Sequence, residues 1–243
     1  MRNILNPLLV SSSDLNGGAA RAAFRLHNAL LRSGFESKMW VGTKQSDIVS
    51  IATDTRLTRK AFNRARAFFG AAASRLKKPS NPALHSISWF PSNILTQDLF
   101  NSVDLLHLHW ICDELVSVEE IGKIKKPCVW TLHDMWPFCG AEHYAPDDAL
   151  TRWRTGYTAL NRISVDQGLD IDRWVWRRKV KSWKRPIHIV APSRWLADCA
   201  MQSALMADWP VSVIPNVLDI HQFQPWPKTM ARKLLRLTPD KKL

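Results

Sequence analysis

Short apolar runs alternate with helix-period segments along this chain, and that alternation confines it to few architectures. Ile4–Ser11, Glu36–Val41, Val103–His109, Val129–Leu132, Ile187–Ala191 and Val211–Ile214 read as strands. Between the first two, Gly17–Leu31 carries Ala20, Ala23, Phe24, His27 and Leu30 or Leu31 on one helical face, with Gly34 placed to stop the helix. Ser117 with Glu120 three residues on forms a capping-box pattern. Arg173–Trp183 reads as a helix, Ser193 caps another through Met201, and a short one is expected at Thr229–Leu235. Residues 140–170 are polar and show no clear period. Strands separated by helices predict an α/β fold, a doubly wound and mostly parallel sheet with helices on both faces. No apolar run reaches the roughly 18 residues that a membrane span needs.

In such a sheet, ligands bind just past the carboxyl ends of the strands. The run Pro127–Phe138 breaks at His133-Asp134 and again at Trp136-Pro137, so a buried strand should end by presenting an imidazole and a carboxylate. At the first strand-to-helix turn, Gly17 and Gly18 open the helix. Glycines there let backbone N–H groups face an anion closely, and Arg21 lies one turn further in. The spacing is not the GxGxxG of a dinucleotide loop.

Charge adds a constraint on partners. Across 243 residues, 34 Lys and Arg face 21 Asp and Glu, a formal net charge of +13. Such a surplus suits anionic partners. No acid lies between Asp54 and Asp98, while Arg59, Lys60, Arg64 and Arg66 sit among other basic residues around a stripe containing Phe62, Phe68 and Phe69. That pattern fits a helix resting on an anionic membrane surface. It equally fits a core helix with a solvated basic back. A second basic stretch, Arg173–Arg185, interleaves Trp174, Trp176 and Trp183. No nucleic-acid module signature accompanies it, so nucleic acid is not an expected partner. The four cysteines lack CxxC spacing and read as reduced thiols, and the N-terminus lacks the pattern of a signal peptide. A cytoplasmic protein, peripheral on the inner face of the plasma membrane, is the expectation.

Five motifs occur in order: Gly17-Gly18-Ala-Ala-Arg-Ala-Ala, Asp104-Leu-Leu-His-Leu-His-Trp110, Thr131-Leu-His-Asp-Met-Trp-Pro-Phe138, Ala191-Pro-Ser-Arg-Trp195 and Val213-Ile-Pro-Asn-Val-Leu-Asp219. Together they resemble the N-terminal, Rossmann-like half of family 4 glycosyltransferases, retaining enzymes of the two-domain GT-B type. The resemblance covers nearly the whole chain. It implies a domain at residues 1–224 and, at 225–243, a linker toward a nucleotide-sugar domain that the chain lacks. It implies a nucleotide-sugar donor, a glycan or lipid-linked acceptor of bacterial polysaccharide or glycolipid synthesis, and no metal or other cofactor. Gly17, Gly18 and Arg21 would face the donor diphosphate. His133 would sit at the reaction centre, with Asp134 ordering it or the acceptor. His109, Trp110, Glu142, His143 and Tyr144 would line the acceptor side, with Trp153, Tyr157 and the Trp/Arg stretch forming an acceptor-side insertion. Without its second half the chain alone is expected to be inactive.

The residue types leave two other readings open. His107, His109, His133, Asp134, Glu142 and His143 are all of metal-ligand type, and a divalent ion held among them would activate water for hydrolysis. His107 and His109 share a face, because the side-chain period of a strand is two. Alternatively, the domain is a non-catalytic acceptor- or membrane-binding module.

Overall fold

The computed structural model of the chain describes residues 5–54, 65–66, 77–78, 81–92 and 98–238. Its strands are β1 (Pro7–Ser13), β2 (Lys38–Thr43), β3 (Ile51–Ala52), β4 (Lys77–Lys78), β5 (Leu105–Leu108), β6 (Cys128–Thr131), β7 (Gln167–Gly168), β8 (His188–Ala191) and β9 (Val211–Val213). Its helices are α1 (Gly18–Arg32), α2 (Asp98–Asn101), α3 (Val118–Gly122), α4 (Arg152–Thr155), α5 (Ile171–Ser182), α6 (Arg194–Gln202) and α7 (Lys228–Leu234). Seven strands form one sheet in the order β3-β2-β1-β5-β6-β8-β9, parallel at every pairing. β4 and β7 form a separate antiparallel pair.

The sheet is built as its sequence pattern requires. Leu8, Leu9 and Val10 are all fully buried, as befits a parallel strand covered on both faces. Their side chains alternate between two cores. Leu9 joins Met39, Val41, Ile51 and Ala23 of α1 on one face. Leu8 and Val10 join Trp40, Leu106, Leu108 and Trp130 in the larger cluster on the other.

Local signals place the helix ends. Gly34 has a φ of +84°, and the N–H groups of Phe35 and Gly34 donate to Leu30 and Leu31 at 3.0 and 3.1 Å. This is a Schellman stop, and it needs a residue without Cβ strain at Gly34. At α3 the capping box closes in both directions: Glu120 N–H donates to Ser117 Oγ at 3.3 Å, and Ser117 N–H donates to Glu120 Oε2 at 2.9 Å.

Residues 140–170 are held by tertiary contacts. Trp153 and Tyr157 are buried, the first edge-on to Phe138 with ring centroids 5.7 Å apart. Arg152 grips Asp170 bidentately at 3.0 and 2.7 Å. Trp153 and Tyr157 were expected to face an acceptor; their indole and phenol instead pack the interior, as does Trp183. Gly140 makes the close fit with α5 possible. A Cβ there would lie 2.6 Å from Asp172 Cβ and 2.7 Å from its Cα, a clash with backbone that cannot swing away.

The basic stretch expected to meet a membrane falls mostly outside the described residues, with Arg59, Lys60, Arg64, Phe62, Phe68 and Phe69 among those not covered. Arg66 is described, and it is buried with its guanidinium donating to the Glu114 carbonyl. That position therefore contributes to packing and is not on a surface. No helix among the described residues is long and apolar enough to cross a membrane. All four cysteines are free thiols.

Candidate active site

The chain runs outward from β1 through β2 to β3, then resumes on the other side of β1 with β5. Connections from β1 and β5 thus leave in opposite directions, and a crevice opens at their carboxyl ends. Two segments border it, the turn after Ser13 and the pair His109-Trp110. Backbone bonds continue the ladder past β5, from His109 N–H to Val10 at 2.9 Å and from Ser12 N–H to Trp110 at 2.8 Å.

The turn is shaped for an open helix start. Gly17 has a φ of +89°, and no side chain caps α1. A Cβ built on Gly17 or Gly18 would meet nothing within 4 Å, and both glycines are exposed, so the helix start is open. The positive end of a 15-residue helix is thereby accessible to an anion. Arg21 is exposed, with Nε donating to the Leu15 carbonyl at 3.3 Å, so it braces the turn from outside. Asp14, buried beneath, accepts from the backbone N–H groups of Gln45 and Ser46 at 3.0 and 2.9 Å. Burial pushes the Asp14 carboxyl up, but the bonds from Ser46 and Gln45 outweigh it and hold it below its ordinary value. Nothing in the spacing of Asp14 marks that role in the sequence.

Across the crevice three imidazoles stack. His107 and His109 lie on one face of β5 with ring centroids 4.5 Å apart, and His109 stacks on His133 at 5.3 Å. His107 Nε2 meets Thr131 Oγ1 at 2.7 Å. His109 Nδ1 meets His133 Nε2 at 3.0 Å, while His109 Nε2 is buried with no hydrogen-bond partner. An orphaned acceptor is tolerated better than an orphaned N–H. The proton therefore belongs on His109 Nδ1, donated to His133 Nε2, which leaves His133 protonated at Nδ1 as a donor. Burial lowers the pKa of His107 to about 4, with His133 adding repulsion. Burial likewise lowers that of His133 to about 4, against a smaller upward pull from Asp134. At neutral pH the stack is uncharged.

Of the two roles expected for Asp134, ordering His133 or the acceptor, direct bonding to His133 is not seen. The carboxylate accepts from Trp110 Nε1 at 2.8 Å, from His143 Nδ1 at 2.6 Å and from the Trp136 N–H at 3.0 Å. His143 Nε2 continues the chain to Ser86 Oγ at 2.8 Å. His109 is thus the group that orders His133, and Asp134 fixes the indole beside it. Of the expected acceptor-side residues, Trp110 is half-buried and Tyr144 is exposed, its hydroxyl 3.4 Å from the His133 carbonyl. His109, His143 and Glu142 are buried. Glu142 turns inward, accepting from the Tyr157 hydroxyl. The six residues of the metallohydrolase reading therefore do not converge on one point: three stack on each other, Asp134 and His143 bind each other, and Glu142 lies in a separate cluster.

Behind the turn sits a residue the sequence did not single out. Lys179 of α5 is fully buried, with Nζ donating to the carbonyls of Trp136, Cys139 and Gly140 and lying 3.8 Å above the Trp136 ring. It holds the chain after His133 in its bend. A cavity of about 250 Å³ lined by Gly122, Lys125, Lys126, Cys128, Trp183 and Arg185, among others, lies at the amino ends of β6 and β8, the edge opposite this chemistry.

Residues 16–222 match the family model for Glycosyltransferase Family 4. The chain belongs to that family. The match runs from the turn at Gly17 to the segment after β9, so the all-parallel sheet is the Rossmann-like N-terminal domain of a family 4 glycosyltransferase. Gly17, Gly18, His109, Trp110 and His133 all lie inside it. None of the curated proteins compared with the chain matches it significantly.

Proposed function

We propose that this glycosyltransferase domain takes part in retaining transfer of a sugar from a nucleotide donor to a glycan or lipid-linked acceptor, in polysaccharide or glycolipid synthesis. What supports the reading is the uncapped start of α1 and the His133 imidazole facing one crevice in a chain of this family. In this reading the N–H groups at Gly17 and Gly18 stabilise the donor diphosphate as its negative charge grows. Preorganised dipoles of that kind need no reorganisation during the reaction. His133 donates from Nδ1 to the sugar and orients it. Trp110 and Tyr144 offer ring faces to the acceptor. The chemistry needs no metal at the diphosphate, because helix N–H groups and cations meet its charge.

In an enzyme that pairs this domain with a nucleotide-sugar-binding domain, His133→Ala is expected to lower turnover by about 10²-fold or more, the size of a lost positioning or charge-stabilising donor. Circular dichroism should show the fold unchanged, since His133 is only part-buried. A turnover equal to wild type removes His133 from the mechanism.

The surplus of 13 positive charges also supports a peripheral site on an anionic cytoplasmic leaflet. Arg59, Lys60 and Arg64 are the residues proposed to touch it. Co-sedimentation with phosphatidylglycerol vesicles should be released by salt and lost when these three become Glu. Equal binding to neutral vesicles would refute it.

A further inference from the structure

Away from the His133 stack, three side chains from distant parts of the sequence converge in the interior. His85, Glu142 and Asp172 each bring one nitrogen or oxygen atom within 4.8 Å of the other two. The convergence is held by backbone. Residues 85 and 142 form an antiparallel bridge, flanked by bonds from Ser86 N–H to Ala141 at 2.8 Å and from His143 N–H to Leu84 at 2.8 Å. Asp172 comes from the first turn of α5, which approaches closely because Gly140 carries no Cβ. Ala141 N–H donates to Asp172 Oδ1 at 3.3 Å.

The donor set has the chemistry of a cation site. His85 Nδ1 lies 2.6 Å from the Ala83 carbonyl, which only accepts, so Nδ1 carries the proton and Nε2 carries the lone pair. An imidazole fixed this way by a backbone carbonyl is how metal-binding histidines are oriented. That Nε2 lies 3.8 Å from Asp172 Oδ1. Glu142 Oε1 accepts from Tyr157, while Oε2 is buried with no hydrogen-bond donor. Two carboxylates side by side in an apolar interior cannot both stay ionised without a compensating cation or a shared proton. His85 Nε2 faces that pair, so one imidazole nitrogen and two carboxylates meet at a single point. One nitrogen and two carboxylate oxygens are a ligand set suited to a first-row dication such as Zn²⁺.

We propose that His85, Glu142 and Asp172 form a divalent transition-metal site that ties the strand-like segment around His85, the turn after Phe138 and the start of α5 together. Metal–ligand distances of about 2.0–2.2 Å require the three donors to close by only roughly half an ångström. The ion's role is structural. Ser86 and His143, next in sequence to His85 and Glu142, carry the hydrogen-bond chain that ends on Asp134, so the site braces the shelf beside His133.

The test is Zn²⁺ titration of the full chain, without a histidine tag, after stripping with a chelator. One equivalent should bind, and the melting temperature should rise by several degrees, as ligation to the native state alone requires. Glu142→Gln keeps an acceptor for Tyr157 and should fold, and circular dichroism checks the fold of His85→Ala, which removes a largely buried ring. Each should weaken Zn²⁺ binding about 100-fold and abolish the thermal shift, whereas His133→Ala should leave both intact. X-ray absorption of the loaded protein should show an all-nitrogen-and-oxygen shell with one imidazole. A folded wild type that binds no stoichiometric Zn²⁺ overturns the proposal, as does binding that survives Glu142→Gln and His85→Ala or disappears with His133→Ala.

Discussion

Lys179→Met is expected to destabilise the domain by about 3 kcal/mol or more, read as a lower urea midpoint with an unchanged slope. Nζ supplies a donor to three buried carbonyls, those of Trp136, Cys139 and Gly140. Methionine fills much the same volume but donates nothing, and a buried carbonyl left unsatisfied costs about 1 kcal/mol or more. The cation above the Trp136 ring is lost as well. Some of this is offset, because methionine avoids desolvating an ammonium. That offset has a pH signature. Burial brings the Lys179 pKa down from 10.5 to about 7, against smaller upward pulls from Cys139, Cys112, Glu142 and Asp134. Between pH 7 and 10.5 the unfolded chain therefore binds more protons than the native one. Wild-type stability gains relative to the variant as pH rises through that window. A penalty that is small, or that shrinks from pH 7 to 10, would refute the assignment.

Acid is expected to unfold the domain as pH falls from 6.5 toward 4, driven by buried imidazoles. His107 and His133 have native pKa values of about 4 against 6.5 unfolded, and burial also lowers that of His109 well below its ordinary value. His27, bonded to Ser37 and Ser50 at 2.8 Å each, is also brought to about 4 by burial. A base with a lowered native pKa contributes stability that is whole above pH 6.5 and is lost as pH falls toward 4. For His107 and His133 the loss is about 3 kcal/mol each at most, shared between coupled rings. Typical domains hold about 5–15 kcal/mol in total, so the native state should fail within that window. Thermal melts from pH 7.5 to 4 should fall steeply, and His107→Gln should flatten the fall. Melting temperatures constant down to pH 4.5 would show that the stack is not buried neutral.

Much of this was readable from the sequence where structure is local. The Gly34 stop, the Ser117-Glu120 box and the Ser193 cap each depend on residues within a few positions, and all three stand in the structure. The period of two along β5 put His107 and His109 on one face, and the break at His133-Asp134 marked a strand end. What long-range contacts decide stayed hidden. Two-residue β3 has no period to detect. Lys179, Tyr157 and Asp172 acquire their roles only when α5 packs on the turn after Phe138, and that depends on the missing Cβ of Gly140. Ligand-type residues were legible, but their partners were not: Asp134 serves Trp110 and His143, and Glu142 joins His85 and Asp172. Basic character likewise says nothing of depth, as buried Arg66 illustrates.

The strand order also has a consequence for how the chain is born on the ribosome. β1 has β2 on one side and β5 on the other, and β2 is complete at Thr43 while β5 ends at Leu108. At about 5–20 residues per second, the second neighbour follows the first by several seconds. Throughout that interval the Pro7–Val10 edge and its Leu8 and Val10 side chains lack the strand that will cover them. A nascent chain of this length carries an exposed apolar edge with open backbone donors, the kind of template on which strands from other chains pair. The same reversal of strand order that opens the crevice thus leaves one edge of β1 unpaired until β5 has been made.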